Sequence, residues 1–356
     1  MGVRSAAAVG ACSVNNGGAQ RWLQHVIAGG CVESFQKGSQ VATAIFELVV
    51  GIFFAFAGGE LFLRGVLGIA AWLRIPEAIA AATLAAFATS SPEVSVAVAS
   101  AWQGSPQIAL GDALGSNVVN VALILGLVLW LGPLPFDWLA VQRDYRYALV
   151  APLLIGLIAL DGHFAVWEGL GLLCVFASWL VLTYRAARDQ RESSSTAAEH
   201  PHPWLASLLS LVGLGFLILA GNWIVSGGSE VGRWLGMSPY LIGATMVALG
   251  TSAPELATAV IAKLRGHDEV GVGTVLGSNI FNSLLIVGLA CSISPFQQSI
   301  GSIVASLLFG LLSVLALWPD RHQRLGRWRG LLLLGLYVLS ILAAWYTQGD
   351  GGGIHG

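Results

Sequence analysis

Two glutamates, Glu93 and Glu255, stand in the middle of strongly apolar stretches and share their neighbours. The first closes A-T-S-S-P-E, Ala88–Glu93, and is followed by G-D-A-L-G-S-N-V-V-N, Gly111–Asn120. The second closes G-T-S-A-P-E, Gly250–Glu255, and is followed by G-T-V-L-G-S-N-I-F-N, Gly273–Asn282. A charge at the centre of a membrane-embedded helix costs about 2.5–3.5 kcal/mol even on lenient insertion scales. No Lys or Arg lies near either glutamate at that depth. The natural counter-charge is therefore a bound cation, or a proton when no cation is held.

The neighbours suit that task. On a helix, Thr89 and Ser90 precede Glu93 by four and three residues, and Thr251 and Ser252 do the same for Glu255, so each trio shares one face. Pro92 and Pro254 have no N–H to give the carbonyls of Ala88 and Gly250, one turn back. At membrane depth such a freed carbonyl is tolerated where it lines a cavity or meets an ion. Ser116 and Asn120, and again Ser278 and Asn282, are four apart on the following helix. Gly111 with Gly115, and Gly273 with Gly277, are small-xxx-small pairs that let helices approach closely. Every group in this set offers oxygen, and no Cys or His belongs to it. That chemistry suits hard cations, Ca²⁺ and Na⁺, over zinc or copper. Two carboxylates are neutralised by one Ca²⁺ and matched by several Na⁺, so competition for one shared site is the simplest physics of exchange.

A plainer account makes the hydroxyls and amides interhelical glue and each Glu a protonated core residue. The duplication weighs against it. Thr83–Gly126 aligns on Thr245–Gly288 without a gap, 18 of 44 positions are identical, and the offset that takes Glu93 to Glu255 holds throughout. A strict internal repeat is a statement about architecture. Greasy helices share Leu and Ala by chance, not a carboxylate with its polar neighbours in fixed register.

Composition sets the surroundings. The 356 residues are 56% hydrophobic and 10% charged, against roughly 25% charged in soluble domains. Mean hydropathy is +0.76. The chain is an all-α polytopic membrane protein, and the lipid bilayer is its solvent. A net charge of −2 with no basic stripe excludes nucleic acid as a partner. The four cysteines, Cys12, Cys31, Cys174 and Cys291, show no metal-ligand spacing. Cys12 and Cys31 would pair only if their segment is exported. No cofactor and no obligate protein partner are expected.

Ten spans are read at roughly 41–63, 76–101, 107–131, 147–160, 164–184, 204–225, 239–262, 270–291, 300–318 and 330–346. The fourth is short for a hydrocarbon core of about 30 Å and calls for tilt or extension. Residues 1–40 are expected to be a poorly ordered tail or an overlong start, and 347–356 a flexible C-terminal tail. Residues 41–184 form a first five-helix repeat around the duplicated segment 83–126. Residues 204–346 form a second around 245–288. The polar linker 185–203 joins them, and its His200 and His202 are read as part of a solvated, Pro-broken segment rather than a metal site. Of the 17 Lys and Arg, three lie in the tail; thirteen fall in loops on one side of this layout and one, Arg233, on the other. The positive-inside rule then puts the linker in the cytoplasm and both termini outside. Five spans separate each motif from its copy, so the copies cross the membrane in opposite directions. Inverted-topology repeats are the mark of alternating-access transporters. Trp72, Trp102, Trp138 and Trp204 sit at predicted boundaries as an aromatic belt.

The paired motifs resemble the α-repeats of the cation/Ca²⁺ exchanger superfamily, the sodium/calcium exchangers and their prokaryotic relatives, whose pattern is close to G-T-S-x-P-E followed by G-N-x-x-G-S-N-x-x-N/D. G-G-E-L-F-L-R-G at Gly58–Gly65 and G-G-S-E at Gly227–Glu230 resemble the family's preceding helices. The resemblance implies a secondary antiporter exchanging Na⁺ for Ca²⁺. In it Glu93 and Glu255 are the central ligands, and Thr89, Ser90, Thr251 and Ser252 line the site. Ser116 and Ser278 add Na⁺-site oxygens, and Asn120 and Asn282 flank the centre. It also implies that spans one and six slide past the rest, and that more than two Na⁺ enter per Ca²⁺.

Three positions depart from the pattern. Ala88 replaces a Gly. Asn282 stands where K⁺-dependent relatives carry Asp, which weighs against K⁺ cotransport. Asp112 stands where Asn is common, with Thr274 as its copy. An added carboxylate there would make a further cation or proton site or cap a helix, and a peripheral role is expected. Glu60 and Glu230, near the ends of spans one and six, read as helix-end contacts. Exchange of Ca²⁺ or Mg²⁺ for H⁺ on the same scaffold stays open, with protons competing at the two glutamates, and a passive cation channel is a more distant alternative. A membrane-embedded enzyme is a distant third reading, and no enzyme is expected: a hydrolase would need an acid and base, a nucleophile or a metal constellation, and the two glutamates would have to act as a dyad.

Overall fold

The structure is a computed structural model that describes residues 16–72, 90–135, 138–189, 202–264, 272–318 and 324–351. Residues up to Thr43 form one unit and Ala44–Gly356 a second. Helix α1, Asn16–Trp72, runs from the first into the second, and it begins within the stretch expected as a tail. The helices of the larger unit are α2, Ser91–Trp102; α3, Pro106–Leu131; α4, Trp138–Ile158; and α5, Val166–Asp189. After the linker come α6, Pro203–Trp234; α7, Pro239–Thr251; α8, Ala253–Leu264; α9, 272–293; α10, Ile300–Ala316; and α11, Arg327–Gly351.

Six of these stretches are long and apolar enough to cross a bilayer by length and composition: Ser39–Phe62, Pro106–Leu131, Val166–Arg185, Pro203–Trp234, Val275–Ile293 and Arg327–Thr347. The expected second span is described only from Ser90 onward. The fourth, read as short, starts earlier than expected, at Trp138, and reaches 21 residues as α4. The ninth is a helix of 17 residues, α10. Burial sorts the six. The windows of α3 and α9, which carry the G-S-N motifs, are 78% buried, whereas those of the other four are 22–33% buried. The motif-bearing helices are therefore the centre, and the other four face outward with side chains such as Phe46, Phe53, Leu211 and Leu342 exposed. Trp72, Trp102 and Trp204 are also exposed. Trp138, expected with them, instead packs on Tyr145 and Trp318 at ring-centroid distances of 5.4 and 5.3 Å.

Glycine permits the central crossing. A Cβ on Gly111 would meet the backbone of Tyr240 and Ala244, one on Gly115 the backbone of Ala244, and one on Gly243 the backbone of Ile108 and Asp112. Helices α3 and α7 thus touch backbone to backbone, as the small-xxx-small spacing predicts. Outside them, Gly51, Gly58 and Gly65, evenly spaced along α1, lie against Ile224, Phe216 with Gly213, and Ser210 of α6.

Among the described residues, four short strands close the loops. Strand β1, Leu134–Pro135, pairs antiparallel with β4, Arg324–Leu325. Strand β2, His163–Phe164, pairs antiparallel with β3, Phe296–Gln297. Each pair joins a loop of the first half to a loop of the second. The offset between the duplicated motifs turns β1 into β3 and carries β2 onto β4 but for a single step in register, so each pair is the image of the other. Phe164 and Phe296 stack at 4.7 Å with rings 4° from parallel.

Gly111→Val is expected to lose more stability than the roughly 1–3 kcal/mol typical of overpacking, because backbone rather than side chain blocks the new atoms. Gly171→Ala, where a Cβ meets no described atom within 4 Å, is expected to hold or gain slightly. Thermal melting in detergent distinguishes them.

Candidate functional site

Each glutamate stands at the start of a helix, and in the second copy that helix follows α7 after a break at Ser252. Ser90 caps α2 with φ −91° and ψ 9°, and Ser252, between α7 and α8, has φ −84° and ψ 4°. These near-identical turns occupy equivalent positions in the two repeats, just ahead of Pro92 and Pro254. Proline cannot continue the hydrogen-bond ladder backward, and its ring crowds the preceding turn. Both glutamates lie in the first turn of their helices, Glu93 in α2 and Glu255 in α8. A second pair of irregularities lies on the facing helices. Both lapse into π-helix, Val119–Leu125 in α3 and Phe281–Ile286 in α9, and these segments carry Asn120 and Asn282. Such bulges recur at functional sites. Hydrophobic spacing along the chain carries no sign of them.

The expected ligand residues that can be placed are nearly all fully buried. Ser90, Glu93, Ser116, Asn120, Thr251, Ser252, Ser278 and Asn282 are all at most 2% exposed. Gly250 is buried beside the Ile52 side chain of α1. Ala88 and Thr89 lie outside the described residues. Many of the polar atoms have no protein partner: the hydroxyls of Ser90, Ser252 and Ser278, Glu93 Oε2, both carboxylate oxygens of Glu255, Asn120 Oδ1, and both side-chain polar atoms of Asn282. Buried polar groups are ordinarily paired, because an orphan forfeits hydration without recompense. A concentration of orphans on duplicated residues is the signature of a site that waits for a ligand. Among the described residues no three His, Cys, Asp or Glu converge as a metal cage by themselves. A cation here must draw on amide, hydroxyl and carbonyl oxygens as well as carboxylates.

The expectation for Asp112 is corrected. It is not peripheral: it is wholly buried, accepts hydrogen bonds at Oδ1 from Thr251 at 3.0 Å and Ser116 at 3.4 Å, and its charge acts on both Glu93 and Glu255. Glu93 also feels the charge of Glu255 and reaches the Thr251 hydroxyl. The close approach of α3 and α7 at Gly111 and Gly243 makes this contact possible, and a partner in the other half of the chain is invisible to local pattern. Glu60 and Glu230, by contrast, pair with Arg64 and Arg233 on exposed helix turns at 2.7 and 2.6 Å, as expected of helix-end contacts.

Sequence reasoning also passed over Asn117 and Asn279, although both lie in the quoted G-S-N motifs. Asn279 Nδ2 donates to the Asn117 carbonyl at 3.1 Å, and Asn117 Nδ2 to Ser283 Oγ at 2.7 Å. Asn120 Nδ2 donates to Asn279 Oδ1 at 3.3 Å. Asn117 and Asn279 are equivalent positions of the two repeats and bond each other directly. This amide cluster ties α3 to α9.

Comparison with known proteins gives the arrangement its context. The family model described as sodium/calcium exchanger protein matches twice, over residues 43–185 and 205–346. CaxA of Alkalimonas amylolytica, a protein named as an antiporter, is 32% identical over 310 residues, 83% of this chain and 96% of that one. The inner membrane protein YrbG of Escherichia coli is 28% identical over 323 residues, 86% of this chain and 98% of that one. Among solved structures, the sodium-calcium exchanger NCX_Mj soaked with Na⁺ and Sr²⁺ superposes with a TM-score of 0.60 at 26% identity, covering 85% of this chain and 98% of that one. With two tandem matches covering most of its length, this integral membrane protein belongs to the sodium/calcium exchanger family.

Proposed function

We propose that the chain exchanges Na⁺ for Ca²⁺ by alternating access, the two cations competing for one site between α3 and α9. The observation that carries this reading is the set of orphaned, wholly buried oxygens on residues that recur at one fixed offset. They sit beside carboxylates that no Lys or Arg compensates among the described side-chain pairs. Glu93 and Glu255 are the central ligands. Ser90, Thr89, Thr251 and Ser252 with the carbonyls of Ala88 and Gly250 line the site, Ser116 and Ser278 extend it for Na⁺, and Asn120 and Asn282 flank it. Membership of the exchanger family supports the same assignment, and NCX_Mj is a structure soaked with Na⁺ and Sr²⁺, a divalent congener of Ca²⁺.

The transport cycle needs a scaffold with two faces. Ten spans in two inverted five-helix repeats supply one, with residues 185–203 cytoplasmic and both termini outside. In that layout β1 and β4 belong to loops on one side of the membrane, and β2 and β3 to loops on the other. The observed strand pairs therefore never ask a loop to cross the bilayer, which supports the layout. Helices α1 and α6, with their glycines seated on each other, are the elements that slide, and Ile52 beside Gly250 couples α1 to the site.

Purified chain in proteoliposomes is expected to take up Ca²⁺ when loaded with Na⁺ and not when loaded with choline. Glu93→Gln and Glu255→Gln each bring uptake down to that of empty vesicles. Uptake that ignores Na⁺ and follows a pH gradient would replace Na⁺ by H⁺ as the coupling ion, and wild-type flux in both variants would make the glutamates structural.

Orientation has its own test. A single cysteine placed in 185–203 of an otherwise cysteine-free chain is expected to react with a membrane-impermeant maleimide only when the cytoplasmic side is opened. Labelling of intact cells would reverse the layout.

A further inference from the structure

Helices α2 and α6 lie close together, and side-chain bonds cross their contact. Ser95, two residues beyond Glu93, donates its hydroxyl to the Leu217 carbonyl. Gly221, one turn further along α6, keeps that carbonyl within reach, since a Cβ there would meet both the hydroxyl and the backbone of Ser95. At the end of α2, Gln103 Nε2 donates to Asn222 Oδ1 at 3.2 Å, while Asn222 Nδ2 turns back onto the Ile218 carbonyl of its own helix at 3.1 Å. Packing alone does not close this seam. A cavity of about 260 Å³ opens along it, lined by Val94, Val98, Leu214 and Ile218 and by Phe62 of α1. Apolar walls that face a void lose the contacts they would otherwise make, so the hydrogen bonds take a larger share of the hold between α2 and α6.

The second half does not repeat them. At the offset of the duplicated motifs, Ser95 becomes Ala257, which has no hydroxyl. Asn222 becomes Glu60, which is paired with Arg64 of its own helix at 2.7 Å. Arg265, in the place of Gln103, lies outside the described residues. This asymmetry has an energetic meaning. In a transporter built of inverted repeats, one access state turns into the other when the halves exchange conformations. Perfect copies would leave the two states equal in energy, and a bond made by one half alone tips the balance. Resting on the alternating-access reading above, we propose that Ser95 and the Gln103–Asn222 pair form a one-sided latch between α2 and α6. The latch favours the access state in which α6 is seated on α2, and it releases each time α6 slides. Ser95 and Gln103 are positioning residues: they act on the site through α2, whose first turn holds Glu93.

Ser95→Ala, Gln103→Ala and Asn222→Ala each remove a bond of the latch. The net worth of one hydrogen bond shifts a two-state equilibrium about threefold to tenfold. Spin labels on cysteines replacing Trp167 of α5 and Trp234 of α6, both exposed, report that equilibrium in an otherwise cysteine-free chain. Each alanine variant is expected to move the distance distribution by that factor away from the state described. Gln103→Lys, which keeps a donor for Asn222 Oδ1, is expected to hold the wild-type ratio. A distribution unchanged in all three alanine variants overturns the latch, whatever ion the protein carries. In vesicles of known orientation, the KM for Ca²⁺ measured from the two faces is expected to move in opposite directions in the alanine variants, because apparent affinity follows the fraction of protein in the competent state. A change of the same sign at both faces marks damage to the site itself and also overturns the proposal. Wild-type protein that drives no Na⁺-dependent Ca²⁺ uptake would sink the exchange reading instead, with the label distances still deciding the latch.

Discussion

Everything in this molecule answers to the cost of placing charge where water is absent. A carboxylate in an apolar interior is stable only if something positive or protic stands beside it. Here the nearest groups are amides, hydroxyls and other carboxylates. Among the described ion pairs, none joins a Lys or Arg to these carboxylates. That inversion of ordinary core design fits the burial of the two long spans that carry the G-S-N motifs, while the other long apolar spans face outward.

Holding such a site open requires backbone, not only side chains. Proline stands directly ahead of each glutamate, π-helix loosens the facing helices beside each asparagine, and glycine lets α3 and α7 come into direct contact. Each device gives up regular helical hydrogen bonding or side-chain packing that a structural membrane helix would keep. Asn117 and Asn279 repair part of that loss by bonding across the centre. Their bonds join the two helices while neighbouring polar atoms such as Asn120 Oδ1 and Ser278 Oγ stay without partners.

Much of this was legible in the sequence because duplication amplifies weak signals. A single Ser or Asn in a greasy helix says little, but Glu93, Ser116 and Asn120 recurring as Glu255, Ser278 and Asn282 mark one site. The helix-breaking role of Pro92 and Pro254 could be read from covalent chemistry alone. What stayed hidden depended on contacts between distant segments. Asp112 looked like an isolated substitution because its partner, Thr251, lies on another helix. Asn117 and Asn279 looked like part of a packing motif because their mutual bond does not exist in one dimension. The π-helices are invisible to a periodicity that assumes 3.6 residues per turn. The start of α4 escapes a reading by hydropathy because Arg143, Asp144 and Arg146 lower the signal that marks a span, although they do not oppose helix.

The paired strands carry a consequence for ancestry. Two contacts that exchange under one rotation are a single interface written twice, as an isologous contact between identical subunits must be. If the second half is replaced in thought by a copy of the first, β1 of each copy meets β2 of the other, and both bridges close with no new sequence. The asparagine bond would likewise form between like residues, whereas the phenylalanine stack would not, since Leu134 stands in the first half where the second has Phe296. The two strand pairs are thus contacts that two copies of the first half could also make with each other. Asp112 marks what fusion alone permits, since a gene encoding one half could not have placed a carboxylate on one side of the axis and withheld it from the other.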